Sequence, residues 1–305
     1  MTSDLDLRGV WVPLITPFDA NDRVDVDAIE RLCHEYLRAG ARGIVALGTT
    51  GEAPALDHDE KRAVIDACAA VCSSVGAPLI VGTGSNSTRA TVDATVALEG
   101  VPAVVAALLV VPYYVRPSDA GVLAHYRAVA AASPVPIVAY NIPYRTGKPF
   151  GADALLELAQ VANVAGVKQA VGALDVDTHA LLARAPEGFH VLCGEDPFIY
   201  PIVMMGGSGA IAATSHLCTE RFVAMVECGL AGKHEDGRAH AEALLPVIRA
   251  GFAEPNPAVF KGVLHAQGRI ATPDLRLPMT PASPAAIDRC LVAIDMALND
   301  TASSH

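Results

Sequence analysis

The sequence predicts an α/β chain of the (β/α)8 TIM-barrel class with a C-terminal helical appendage. Three observations carry that expectation. Eight short apolar segments alternate with helical patterns over roughly the first 220 residues, the repeat of such a barrel. These segments are continuously hydrophobic rather than alternating, as parallel strands are when both faces are covered. No G-x-G-x-x-G or Walker pattern follows any of them, which leaves a doubly wound open sheet as the runner-up.

Strands are expected at 9–15, 43–47, 78–82, 106–111, 136–140, 164–168, 190–193 and 209–213. Polar residues mark the starts of the helices between them. Asp25 opens the first, and Asp57 with Glu60 three positions on opens the second as a capping box. Ser87, Ser118 and Asp153 open later ones. After the eighth strand the pattern changes. Helices are expected at 219–250, 259–266 and 282–299, with a proline-rich stretch at 271–284. No linker frees this region. The expected division is a barrel over 1–220 and a helical region over 221–305 packed on it.

Composition narrows the function classes. In 305 residues the hydrophobic content is 52% and the net charge is −11, so a large core is easily supplied. Lys and Arg are dispersed, and no basic patch for nucleic acid is expected. The start, Met1-Thr-Ser-Asp-Leu-Asp-Leu-Arg8, lacks the basic and apolar regions of a signal peptide. The longest apolar run, 101–114, is broken by Pro102 and Pro112 and is too short for a membrane span. The seven cysteines show no C-x-x-C spacing, and the odd count suits a reducing cytosol. Cys68 and Cys72, one helical turn apart among alanines, are expected as small core residues. The histidines form no H-x-x-H arrangement, and no metal is expected.

The chemistry is expected where the strands end. Lys168 closes the apolar stretch Val164-Ala-Gly-Val-Lys168. A lysine is rarely buried unless paired, and desolvation favours its neutral amine. A neutral amine attacks ketones and forms a Schiff base. The alternative is a lysine that snorkels to solvent from a strand end. Tyr140 ends the preceding strand and Arg145 follows it. The three residues can serve as nucleophile, proton carrier and carboxylate clamp. Gly48-Thr49-Thr50-Gly51-Glu52 ends the second strand; its amides and hydroxyls can hold a carboxylate, or it can be a plain capped turn.

Taken together, Gly48-Thr-Thr-Gly-Glu52, Pro112-Tyr-Tyr-Val-Arg-Pro117, Tyr140-Asn-Ile-Pro-Tyr-Arg-Thr-Gly147, Gly166-Val-Lys168 and Glu254-Pro-Asn-Pro257 resemble the dihydrodipicolinate synthase and N-acetylneuraminate lyase family in order and spacing. The resemblance runs from Ile15-Thr-Pro-Phe18 to Leu275-Arg-Leu-Pro-Met-Thr-Pro281. Members are class I aldolases on (β/α)8 barrels. The resemblance implies that Lys168 forms the imine with pyruvate and that Tyr140 relays protons at the imine carbon. It implies that Thr49 and Thr50 serve the pyruvate carboxylate and the relay, and that a neighbouring subunit lends Tyr114 to that relay. The backbones of Gly194 and Ile211 would line the pyruvate pocket. Arg145 would bind the carboxylate of aspartate semialdehyde, a residue that the sialic-acid lyases lack.

The implied activity is condensation of pyruvate with L-aspartate 4-semialdehyde to 4-hydroxy-tetrahydrodipicolinate, in lysine and diaminopimelate biosynthesis. It would proceed without a cofactor, in a cytoplasmic homotetramer built as a dimer of dimers. The alternative is another pyruvate-dependent aldolase or lyase acting on a 2-keto-3-deoxy sugar acid. Tyr144, where the synthases often carry a small residue, and Lys148 could reshape the second-substrate pocket. Glu195, where the family usually has Asp, is a further departure. A third reading is a non-catalytic paralogue. Lysine inhibition is expected to be weak or absent: His58, Asn86 and Tyr113 are kept, but Ala53, Lys61 and Ala90 replace a serine, a histidine and an ammonium-binding glutamate.

Overall fold

The computed structural model describes residues 5–299. Parts of the leader reading over 1–8 and the end of the region drawn to 305 lie outside the described residues. Eight parallel strands, β1 (Gly9–Pro13), β2 (Gly43–Ala46), β3 (Leu79–Gly82), β4 (Val104–Val110), β5 (Ile137–Asn141), β6 (Val164–Gln169), β7 (His190–Cys193) and β8 (Gly209–Ile211), close into a barrel in sequence order. β8 pairs with β1 through Gly9↔Gly209 to Trp11↔Ile211. Every expected strand is present. β1 and β8 stop two residues early because the apolar run outlasts the ladder: Leu14 and Ile15 stay buried beneath the helices although pairing ends at Pro13.

The helices are α1 (Val26–Arg38), α2 (His58–Val75), α3 (Thr88–Val96), α4 (Asp119–Ala132), α5 (Pro143–Thr146), α6 (Ala152–Leu158), α7 (Val176–Arg184), α8 (Ile199–Met204), α9 (Thr219–Leu230), α10 (His234–Gly251), α11 (Ala258–Ala266) and α12 (Pro284–Asn299). Asp25, Ser87 and Ser118 accept amide hydrogen bonds as N-caps, and Asp57 with Glu60 forms the reciprocal capping box. Asp153 lies inside the first turn of α6, whose N-cap is Gly151. The helix expected over 219–250 is two. The chain turns at Gly232, which holds φ +71°, and Lys233 N donates to Cys228 O.

Inside the barrel pack Trp11, Val45, Ile80, Leu108, Val138, Leu192 and Ile211. A second layer lies between the strands and the ring of helices. The third core joins the barrel to the C-terminal helices: Val10 and Ala210 share it with Phe222 of α9, Val247 of α10, Phe260 of α11 and Ile294 of α12. α9 follows β8 directly and completes the ring, so α10 to α12 are what is added to the barrel. Cys68 and Cys72 are buried and free, and Cys33 Sγ stands 3.9 Å from Cys68 Sγ. Among the described residues no helix is long and apolar enough to cross a membrane, and no group of His, Cys, Asp and Glu is gathered to hold a metal.

Candidate active site

Lys168 and Tyr140 are register partners on β6 and β5, near the C-terminal ends of both strands. Being partners in a parallel ladder, they point to the same side, into the mouth of the barrel. Lys168 Nζ stands 4.4 Å from the Tyr140 ring centroid, and the two residues are only 7% and 6% exposed. The next residue of each strand points outward. There Asn141 Nδ2 donates to Gln169 Oε1 (3.0 Å) and to Phe150 O (2.9 Å), and Gln169 Nε2 donates to Thr178 Oγ1 (3.0 Å). This buried network ties the two strand ends together, so the inward pair is fixed by the outward one.

Gly194, at the end of β7, explains how close the backbone comes. A Cβ there would stand 2.8 Å from Lys168 Cε and 2.9 Å from Ala170 Cβ. Ile211 is buried at the end of β8 beside Trp11. Asp196 is buried in the turn after β7 and accepts from Thr214 N at 2.7 Å. Burial pushes its carboxyl above the usual range, while Thr214 and the Lys168 charge pull the other way. Burial likewise raises Glu195, and a hydrogen bond from the Tyr144 hydroxyl opposes it. Glu195 Oε1 is buried without a hydrogen-bond partner among the described residues.

Thr49 and Thr50 sit in a 3-10 turn after β2. Thr50 is buried, Thr49 half-buried. Thr16 Oγ1 donates to Gly51 O at 2.7 Å, and Asn256 Nδ2 donates to Thr50 Oγ1 at 3.1 Å. Glu52, in the left-handed conformation (φ +53°), turns its carboxylate away from solvent. Its Oε1 lies 2.7 Å from Lys261 Nζ, and its Oε2 accepts from Arg276 N at 2.9 Å. Lys261 is 0% exposed, with Nζ 4.0 Å from the Phe18 ring centroid. Burial holds its ammonium below the usual lysine range, and Glu52 opposes that shift.

The remaining expected residues lie outside this cluster. Arg145 is exposed on α5, its guanidinium carbon 5.8 Å from the Tyr144 ring centroid. Tyr114 is 86% exposed at φ +71°, and no hydrogen bond or ring contact brings its side chain to Lys168 or Tyr140 within the chain. Its amide donates to Thr146 O (3.2 Å), which ties the Tyr114 loop to the loop of Arg145. Lys148 is engaged by Asp119. Sequence reasoning missed Asn256, Lys261 and Asp196 as parts of the site. Lys261 gives the same signal as Lys168, a lysine inside the apolar run Val259-Phe-Lys-Gly-Val263.

Fold and site together define a parallel-barrel enzyme with a buried amine at the C-terminal mouth. Residues 6–295 match the dihydrodipicolinate synthetase family. The 4-hydroxy-tetrahydrodipicolinate synthase of Salinibacter ruber is 40% identical over 283 residues, 92% of each chain. The dihydrodipicolinate synthase structure from Thermotoga maritima superposes with a TM-score of 0.92 at 30% identity, covering 96% of this chain and 99% of that one. The chloride-inhibited enzyme of Acinetobacter baumannii, complexed with pyruvate, gives 0.91 at 31% identity, covering 95% and 99%. The chain belongs to the dihydrodipicolinate synthetase family and is a lyase.

Proposed function

We propose that the protein condenses pyruvate with L-aspartate 4-semialdehyde to 4-hydroxy-tetrahydrodipicolinate, the committed chemistry of lysine and diaminopimelate biosynthesis. The observation that carries this reading is the buried Lys168 amine against Tyr140, with Gly194 leaving room beside it. Once it has given up its proton, the Lys168 amine adds to the ketone carbon of pyruvate and water leaves, giving an imine. Loss of a methyl proton converts it to an enamine. The enamine carbon attacks the aldehyde of the second substrate and forms the new C–C bond. The amine of that substrate then adds to the imine carbon, and Lys168 departs as the ring closes. Tyr140, Thr50 and Tyr114 carry the protons, Tyr114 arriving from a neighbouring subunit of a cytoplasmic homotetramer. Thr49, with the backbones of Gly194 and Ile211, holds pyruvate. Arg145 takes the semialdehyde carboxylate, which a guanidinium binds bidentately. The scheme uses no cofactor.

Borohydride reduction in the presence of pyruvate, read by intact mass, followed by turnover with the semialdehyde, tests the proposal. One reduced adduct on the wild type, none on Lys168→Arg, and turnover of the semialdehyde are expected. An adduct on the variant would place the nucleophile elsewhere. A second reading, cleavage of a 2-keto-3-deoxy sugar acid, is favoured by Tyr144, a large exposed side chain next to Arg145 on the same short helix. Trapping of pyruvate without turnover of the semialdehyde would select it.

A further inference from the structure

The turn that carries Thr50 is clamped from the C-terminal helical region, not from the barrel alone. Two contacts do this: Asn256 Nδ2 to Thr50 Oγ1, and Lys261 Nζ to Glu52 Oε1. The second sits two residues past Thr50 and is fully buried, so it fixes where the turn lies relative to α11. Asn256 stands at the entrance to the same helix. The chemistry of the first contact has a direction. A hydroxyl holds one hydrogen and two lone pairs. An amide N–H that donates to it occupies a lone pair and leaves the hydrogen free to be given elsewhere. A carbonyl or carboxylate in the same place would capture that hydrogen. A relay member has to give one proton and receive one, so the two arrangements are not equivalent. The amide oxygen, Asn256 Oδ1, is buried without a partner among the described residues, so the amide spends its donor on Thr50 while its acceptor remains unused.

We propose that Asn256 is a positioning residue for the reaction: it holds Thr50 by a lone pair and so leaves the Thr50 hydrogen for the proton relay, with Glu52–Lys261 setting the distance. This rests on the relay role given to Thr50 above. Steady-state rates with both substrates, and the rate of borohydride trapping with pyruvate, test it on Asn256→Ala, Asn256→Asp, Asn256→His, Thr50→Val and the pair Asn256→Ala/Thr50→Val. Asn256→Ala should lower kcat about tenfold, the worth of one oriented hydrogen bond, with KM for pyruvate nearly unchanged. Asn256→Asp, the same size with only acceptors, should be slower still. Asn256→His, which can donate from a similar point, should recover part of the loss. The paired variant should be no slower than Thr50→Val, because removing Thr50 removes what Asn256 acts through. Multiplying penalties in the pair, or an Asn256→Asp enzyme at least as fast as Asn256→His, would overturn the inference, and the second comparison stands even if the alanine variant folds poorly. If the wild type neither traps pyruvate nor turns over, the functional reading itself falls. Wild-type turnover with multiplying penalties sinks the positioning role alone.

Discussion

The proposed nucleophile has to be held still, and here a missing side chain does much of the holding. Lys168 runs past Gly194 so closely that any Cβ would strike its Cε and also Ala170. Gly194→Ala should therefore move the amine while leaving the strands intact. A displacement of about 1 Å costs on the order of a hundredfold in rate. Borohydride trapping with pyruvate should slow by at least tenfold while the urea midpoint barely moves; an unchanged trapping rate would show that the lysine has room to spare. Arg145 lies at the other extreme, exposed, with its guanidinium carbon over the Tyr144 ring. Its proposed partner is the carboxylate of the second substrate, a charge-assisted contact worth about 1.5–3 kcal/mol. Arg145→Ala should raise KM or lower kcat/KM for the semialdehyde by roughly tenfold to a hundredfold, with pyruvate trapping preserved. Equal damage to both steps would remove the assigned role.

Between elements, the buried Glu52–Lys261 pair joins the turn after β2 to α11. Removing one partner strands the other charge, at about 3–5 kcal/mol, whereas removing both is far milder. Urea unfolding of Glu52→Gln, Lys261→Met and the double variant should show that order. The Glu52→Gln penalty should also respond to pH. In Glu52→Gln the unpaired Lys261, already pulled below the usual lysine range by burial, gives up its proton before the unfolded chain does. That loss therefore shrinks as pH rises toward the usual lysine range. Additive single penalties would show that the charges do not act as a pair. The strands, most of the caps and the buried lysine at a strand end were legible because each is written in a short window: a hydrophobic run, Asp57 with Glu60, Lys168 after Gly166-Val. Glu52 and Lys261 are 209 residues apart, and no local pattern joins them. The break between α9 and α10 was hidden for a related reason. One glycine in a helix costs only about 1 kcal/mol, so Gly232 alone does not announce a turn. What shapes those helices is packing on α8: a Cβ at Gly237 would stand 2.5 Å from Tyr200 Cε2, and one at Gly229 2.8 Å from Val203 Cγ1.

At the scale of the molecule, the third core makes barrel and C-terminal helices one folding unit, and His216 sits fully buried beside it. Its Nε2 accepts from Ile15 N at 3.2 Å, and burial holds its pKa down to about 4. The unfolded chain takes up this proton near pH 6.5, so stability is present above that pH and is lost as pH falls from about 6.5 to 4, by up to about 3 kcal/mol. Urea midpoints followed across that range should fall less steeply in His216→Gln, although buried His125 and half-buried His190 still contribute there. Parallel slopes would locate the acid sensitivity elsewhere. Assembly raises the last question. Tyr114 is 86% exposed on a loop anchored to Thr146 by its backbone, away from solvent-shielded Lys168. Val115 beside it is also exposed, so the loop tip presents an aromatic and a branched aliphatic side chain to whatever docks there. A ring that reaches a neighbour's barrel mouth accounts for both facts. The alternative is that Tyr114 folds back on its own site once substrate binds. Mixing Lys168→Ala with Tyr114→Phe subunits separates the two. If the ring crosses over, a mixed dimer contains one site with an intact lysine and an intact tyrosine, and activity returns from two inactive parents. If the ring serves its own barrel, every site still lacks one group, and confirmed subunit exchange without recovery would rule out the shared site.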